Sequence, residues 1–191
     1  MFEELSPPYA TIVADPPWAY EEGFVAGPGH GLWPIHDDPL PYSSMTVAEI
    51  AAMPVNDLAP KDCRLFLWTT NRYLPDAFEI IRSWGFRYRQ ILTWHKTDSN
   101  LGGSIAPTSS EFLLVAIKGK PTKIGHWHTS VIQHSHGAHS VKPAVFLDLV
   151  EHVSPAPYLE LFARAPRLGW DSWGYGFEDG PAAPVEGTEE K

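Results

Sequence analysis

Short apolar runs alternate with segments of helical spacing along most of the chain, and this alternation constrains the fold more than any other feature. Residues 11–14 read as a short apolar strand that runs straight into Asp15-Pro16-Pro17-Trp18. A long loop over residues 21–44 follows, dense in Gly, Pro, His and Asp, and a loop of that length inside a domain is usually functional or mobile. Thr46-x-x-Glu49 has the form of a capping box, which starts a short helix that ends before Pro54. Residues 64–69 form a continuous apolar strand. Pro75 suits the first turn of a helix that ends at Gly85, with Ala77, Phe78, Ile81 and Trp84 on its apolar face. Residues 87–94 alternate like a strand, residues 112–117 form another apolar strand, and Pro143 opens a helix carrying Val145, Phe146, Leu149 and Val153. Residues 158–162 are the next strand. Strands alternating with helices predict an α/β fold, a mostly parallel sheet flanked by helices. Such sheets bind ligands outside the carboxyl ends of their strands.

A chain of 191 residues with 43% hydrophobic and 19% charged residues has the size and composition of one globular domain. The reading assigns residues 1–177 to that domain and residues 178–191, rich in Gly, Pro, Ala and Glu, to a disordered tail. Eight tryptophans and nineteen prolines suggest rigid loops and aromatic surfaces suited to flat ligands. Cys63 is the single cysteine, so a disulfide within the chain and a thiolate metal cluster are both excluded, and a buried thiol is expected. The first residues lack the pattern of a signal peptide, and no apolar run approaches the roughly 18 residues that span a bilayer. A cytoplasmic protein without membrane association is expected. The formal net charge of −9 argues against strong autonomous binding of duplex nucleic acid. Local basic rims remain, one of Arg82, Arg87, Arg89, His95 and Lys96 and one of Lys118, Lys120 and Lys123; solvated strand ends and loops account for them equally well.

Asp15-Pro16-Pro17-Trp18 lies where an α/β enzyme places its site, at the carboxyl end of a strand. The pattern would meet the demands of methylating an exocyclic amine such as adenine N6. The lone pair of this amine is delocalised into the ring. Two acceptors on its hydrogens would direct the lone pair at a methyl donor and stabilise the positive charge that develops. Asp15 offers a carboxylate and Pro16 a carbonyl, and Pro16-Pro17 forms a stiff turn because proline fixes φ and lacks an N–H. Trp18 can then stack on the base, which must be unpaired or flipped from a duplex to be reached. The alternative is a proline turn capped by aspartate, with Trp18 in the core.

Beyond this tetrapeptide the chain resembles the MT-A70 family of adenine-N6 methyltransferases, its small bacterial and phage members most. The matching blocks run in order from Ile12-Val13-Ala14-Asp15-Pro16-Pro17-Trp18 through Tyr42-Ser43-Ser44-Met45-Thr46, Leu65-Phe66-Leu67-Trp68-Thr69-Thr70-Asn71, Leu92-Thr93-Trp94-His95-Lys96 and Glu111-Phe112-Leu113-Leu114. They continue through His139-Ser140-Val141-Lys142-Pro143 and Leu159-Glu160-Leu161-Phe162-Ala163-Arg164 to Gly169-Trp170-Asp171-Ser172-Trp173-Gly174. The resemblance implies a Rossmann-like fold dependent on S-adenosylmethionine (S-adenosyl-L-methionine), with permuted motif order: the catalytic tetrapeptide comes first and the donor-binding strand last. It implies that the chain methylates adenine N6 in DNA or RNA. Lys142 is implied to hold the methionine end of the donor, and its position at a helix start, where the dipole favours a carboxylate, agrees; an exposed lysine is the alternative. Glu160, Phe162 and Arg164 are implied to line the donor site, and Gly174 to let backbone approach the cofactor. The chain departs from the family at Tyr175 and Gly176, where relatives have Asn followed by Gln or Glu, and at Gly102-Gly103-Ser104-Ile105, where aromatic and basic residues are usual. It also carries only about a dozen residues ahead of the catalytic strand. Two other readings stay open: a catalytically silent subunit that scaffolds a partner or presents nucleic acid, and methylation of another planar amide. The small size leaves room for a partner subunit or a homo-oligomer.

Within the long loop, Tyr20, His36 and Tyr42 are the candidate substrate contacts, and the loop is expected to fold over the target base. His126, His128, His134, His136 and His139 crowd one segment, and H-x-H spacing can chelate a transition metal. No carboxylate or cysteine there completes a familiar pattern, and methyl transfer needs no metal. Surface histidines in a mobile loop near the substrate are expected instead, with no bound metal.

Overall fold

A computed structural model describes residues 2–19, 44–98, 105–135 and 142–174. Tyr20, His36, Tyr42, His136, His139, Tyr175, Gly176, most of the long loop and the tail fall outside the described residues.

Among the described residues, seven strands form one sheet in the order β5-β3-β4-β2-β1-β6-β7. They are β1 (Thr11–Ala14), β2 (Cys63–Thr69), β3 (Arg87–Lys96), β4 (Ser110–Lys118), β5 (Val131–His134), β6 (Tyr158–Leu161) and β7 (Trp170–Trp173), joined with the helices α1 (Val47–Ala51), α2 (Leu74–Ser83) and α3 (Val145–Val153). All neighbours pair in parallel except β4, which is antiparallel to both β2 and β3. β1 and β2 are buried along their whole length, as strands covered on both faces must be. Alternate residues serve alternate faces. Ile12, Ala14, Leu65 and Leu67 pack with Ile50 of α1 and Ala77, Ile80 and Ile81 of α2. Val13, Phe66 and Trp68 pack with Phe146, Leu149 and Val150 of α3. The predicted three-layer α/β arrangement is therefore the observed one.

Local signals act as the sequence suggests. Thr46 caps α1 through the complete box, its hydroxyl accepting from the Glu49 N–H while the Glu49 carboxylate accepts from the Thr46 N–H. α2 stops two residues before Gly85, because Gly85 at φ +80° lets its N–H and that of Phe86 turn back onto the carbonyls of Arg82 and Ile81. Cys63 is a buried thiol, pushed up to about 12 by burial. Two strands are additional to the sequence reading. Both are four-residue edge strands, β5 mostly exposed and β7 carrying Asp171 and Ser172, so neither shows a buried apolar run. β5 also corrects the expectation of a histidine-rich loop over residues 126–139, since His134 ends a strand paired with β3.

Gly174 has a role in the fold itself, besides the approach to a cofactor expected of it. A Cβ there would lie 2.3 Å from the Ala163 carbonyl oxygen and 2.6 Å from the Ala163 nitrogen. Glycine is required because the end of β7 crosses the backbone leaving β6, where the Ala163 N–H donates to the Trp173 carbonyl at 3.1 Å. Phe162, at the same crossing, takes φ +64°, which is costly for a side chain of its size. Gly174→Ala should destabilise the protein by about 1–3 kcal/mol, lowering Tm by roughly 2–10 °C at this chain length, as read by thermal unfolding.

Candidate active site

Because β4 runs against its neighbours, its first residues sit at the same edge of the sheet as the last residues of β1, β2, β3 and β6. Glu111 pairs with Trp94 across β4 and β3, while Asp15 follows β1 directly, its N–H donating to Leu161 of β6 at 3.3 Å. Lys142, just ahead of α3, reaches into this edge. Its ammonium lies 2.7 Å from Asp15 Oδ2 and 3.4 Å from Glu111 Oε2, and 5.2 Å from the centre of the Trp68 ring. Lys96 pairs with the other Glu111 oxygen. Asp15, Glu111 and Lys142 are each at least four-fifths buried at the side chain.

The electrostatics follow from this alternation of signs. Burial alone would lower the Lys142 ammonium, but the carboxylates of Asp15 and Glu111 outweigh it and hold Lys142 above its ordinary value. Burial likewise pushes the Glu111 carboxyl up, and Lys142 and Lys96 more than reverse that, so Glu111 stays below its ordinary value. Glu160, two residues before the strained Phe162, has no such close cation among the described residues, Arg167 and Lys142 acting on it only weakly. Burial, with the Asp15 charge added, pushes its carboxyl up to about 7.

Asp15, Lys142 and Glu160 border a cavity of about 380 Å3, within the range of small-molecule sites. Asp15, Lys142, Glu160, Phe162 and Arg164 line it, with Trp68 and Phe146 as its apolar wall. Arg167 closes the far side, anchored to α3 by Glu151 at 2.9 Å and Asp148 at 2.7 Å. Thus five of the residues singled out from the sequence share one cavity. Gly174 crosses the backbone at Ala163, between the lining residues Phe162 and Arg164.

The tetrapeptide is clamped more tightly than its sequence suggested. The Pro16 carbonyl accepts from the Trp18 N–H at 2.9 Å, and the Pro17 carbonyl from the Met45 N–H at 2.8 Å. The expectation of carbonyls with few competing donors is corrected accordingly, although each carbonyl oxygen retains a second lone pair. Trp18 is 6% exposed and stacks on Tyr73 of the α2 start, with centroids 4.9 Å apart. It is a core residue that supports the turn, and not the open stacking surface expected, because α2 brings Tyr73 against its face. Lys142 is not the exposed lysine of the alternative reading. It also lies two residues ahead of the α3 N-cap, Ala144, and its contacts are carboxylates rather than the helix end. Sequence reasoning missed Glu111 and Lys96 as site residues. The available signal was a carboxylate opening an otherwise apolar strand, but only the reversed direction of β4 carries it to Asp15. Among the described residues, no group of three His, Cys, Asp or Glu side chains is arranged to hold a metal ion.

Glu160 gives this site a pH signature. A carboxyl raised from 4.5 to about 7 binds its proton more tightly folded than unfolded. Its contribution is present in full below the unfolded value and is lost as pH rises through the folded one. Glu160→Gln, which keeps the neutral shape, should gain stability relative to the parent by roughly 1–3 kcal/mol between about pH 5 and about pH 8. Urea unfolding at both pH values measures this; a constant difference between the two proteins would contradict it.

Comparison with known proteins agrees with this architecture. The MT-A70 family profile matches residues 9–176. The chain is 32% identical over 184 residues to the type II methyltransferase M.MunI of Mycoplasma sp, covering 90% of this chain and 78% of that protein. It is 31% identical over 176 residues to the probable N(6)-adenosine-methyltransferase MT-A70-like of Oryza sativa subsp. japonica, covering 87% of this chain but 22% of the plant protein. It is 27% identical over 188 residues to the N(6)-adenine-specific methyltransferase METTL4 of Homo sapiens, of which it spans 37%. With the family pattern matched from the residue before β1's lead-in to the end of β7, on an α/β sheet with its charged site at the carboxyl edge, the chain belongs to the MT-A70 family.

Proposed function

We propose that this protein transfers a methyl group from S-adenosyl-L-methionine to the N6 amine of adenine in DNA or RNA, the base being unpaired or flipped out. The observation that carries the reading is the Asp15 carboxylate, held by Lys142 at the mouth of a cavity between β1, β6 and α3.

The lining of that cavity fits a donor that carries a carboxylate, an ammonium and a sulfonium. Lys142 and Arg164 offer cations, Asp15 and Glu160 offer carboxylates, and Phe162, Phe146 and Trp68 offer apolar walls. When bound, the donor supplies an electrophilic methyl group. Arg164 and Lys142 would hold its carboxylate, and Glu160 would face its cationic part. Asp15 would accept a hydrogen bond from the target amine. A carboxylate has about four lone-pair sites, so the pair with Lys142 does not exhaust it. As positive charge develops on the nitrogen, Asp15 stabilises it without reorganising, because Lys142 and the Pro16-Pro17 turn already fix its position. The second lone pair of the Pro16 carbonyl would take the other amine hydrogen. The surplus proton of the methylated nitrogen has the same carboxylate as its acceptor. A partner subunit or homo-oligomer and a cytoplasmic setting belong to the same reading; the reduced, buried Cys63 thiol is consistent with the second. No helix among the described residues is long and apolar enough to cross a membrane.

The test is to incubate the protein with labelled donor and with DNA or RNA, digest the product and identify the labelled nucleoside. N6-methyladenine is the expected product. Asp15→Ala should lower turnover on the order of a hundredfold or more while the thermal transition persists; near-normal turnover by the folded variant would sink the assignment. A folded parent protein that labels neither nucleic acid would favour the silent-subunit reading. Lys142→Ala should weaken donor binding about tenfold or more by calorimetry, since a charged hydrogen-bond donor is lost.

A further inference from the structure

A second cavity, of about 390 Å3, lies on the α3 side of the sheet and shares no lining residue with the first. It sits toward the start of β2 and the second half of α3, away from the carboxyl edge. Its floor is apolar, built from Phe66, Leu92 and Leu149. Its rim is cationic and aromatic, and among the described residues its lining contains neither aspartate nor glutamate. In a chain of net charge −9, a concave site with only positive and neutral side chains is a local reversal of sign.

The donors on this rim are under-used. Arg64 is 9% exposed, and among the described residues only its Nη1 is engaged, with the carbonyls of Thr122 at 3.2 Å and Val153 at 3.0 Å. Those bonds fix the guanidinium against the end of α3 and leave its charge without a carboxylate among the described residues. Lys123 Nζ lies 2.9 Å from His126 Nδ1, a cation donating to an imidazole on the same wall. The indole N–H of Trp127 is buried and has no partner among the described residues. An unmet buried donor costs about 1–3 kcal/mol, and this one belongs to the residue that gives the cleft its aromatic wall. His128 flanks it, with ring centroids 5.3 Å apart. The wall that carries these groups is held in place: a Cβ at Gly125 would lie 2.2 Å from the His152 carbonyl oxygen.

We propose that this cleft binds a nucleotide unit, its phosphate on the Arg64, Lys123 and His128 side and its base against Trp127 and the apolar floor. Phosphate answers the uncompensated cations, and a flat base answers an aromatic wall over apolar side chains. Gln90, Thr129 and Ser130 on the rim supply hydrogen bonds to base edges. The unit comes either from a free nucleotide or from a single strand lying along the protein. The inference stands apart from methyl transfer, because none of these residues borders Asp15.

Thymidine 5′-monophosphate, a short oligothymidylate and thymidine are the probes, since thymine lacks the amine at which the first site is aimed. Each is titrated into the 15N-labelled protein at low salt, and the Trp127 indole N–H resonance, assigned by its loss in Trp127→Phe, is followed. The expected result is a shift of that resonance with at least one phosphate-bearing probe and none at equal concentration of thymidine. The monophosphate acting alone identifies a free nucleotide, and the oligomer acting alone identifies a strand. Lys123→Ala with His128→Ala, both at exposed positions, should weaken that binding tenfold or more. The proposal is overturned if no phosphate-bearing probe moves the resonance, if thymidine moves it equally, or if the double variant binds as the parent does.

Discussion

The Lys142 ammonium between Asp15 and Glu111 is the contact on which the site depends. Two carboxylates brought to one edge of a sheet and largely removed from water repel each other, and one would take up a proton. A cation between them removes that conflict and lets both stay acceptors. The arrangement is also mechanically informative. Lys142 belongs to the lead-in of α3, Asp15 to the end of β1 and Glu111 to the start of β4, so a single ammonium ties three separate parts of the fold. Breaking a buried pair from one side leaves an uncompensated charge, a cost of about 3–5 kcal/mol. The charge pattern is therefore both the chemistry of the site and part of what holds its walls together.

That contact exists only because of the sheet order. β1 lies between β2 and β6, buried on both faces, and its four residues carry Asp15 to the middle of the carboxyl edge. A parallel β4 would have put Glu111 at the opposite edge. The reversed strand, inserted between β2 and β3, brings the Glu111 carboxylate to the edge from its own beginning. On the other face, the starts of α1 and α2 close on the tetrapeptide through Met45 and Tyr73. The turn is thus fixed by helix ends that the capping box and Pro75 define.

Charge is distributed unevenly over this acidic chain. The first cavity mixes both signs, as a zwitterionic ligand requires, whereas the second is cationic and aromatic, without a carboxylate among the described residues. They lie at opposite ends of α3 and on one side of the sheet, separated by the packed core of Phe66, Trp68, Phe146 and Leu149. The same helix thereby contributes its start to one cavity and its later turns to the other.

The sequence by itself determined the class of fold, since runs such as residues 64–69 and 112–117 are too apolar for anything but buried strands. It determined helix boundaries as well, because capping and glycine signals act within a few residues: Thr46 with Glu49 starts α1, and Gly85 ends α2. It also placed Asp15 at a strand end and, through the family resemblance, named four further residues of the first cavity, Lys142, Glu160, Phe162 and Arg164. What it left open is what depends on partners distant in the chain. The direction of β4, and with it the role of Glu111 and Lys96, is a matter of pairing, which apolarity does not encode. The edge strands β5 and β7 are short and half-exposed, so they carry no pattern. Trp18 reads equally as a stacking surface or a core residue until Tyr73 is seen against it. That Gly174 must be glycine to pass the backbone at Ala163, 2.3 Å from its would-be Cβ, is likewise a matter of distant packing. Local rules act over a few residues and are written in them; the partners of a buried charge or an aromatic face are set by the packing of the whole chain, and only the tertiary structure decided those.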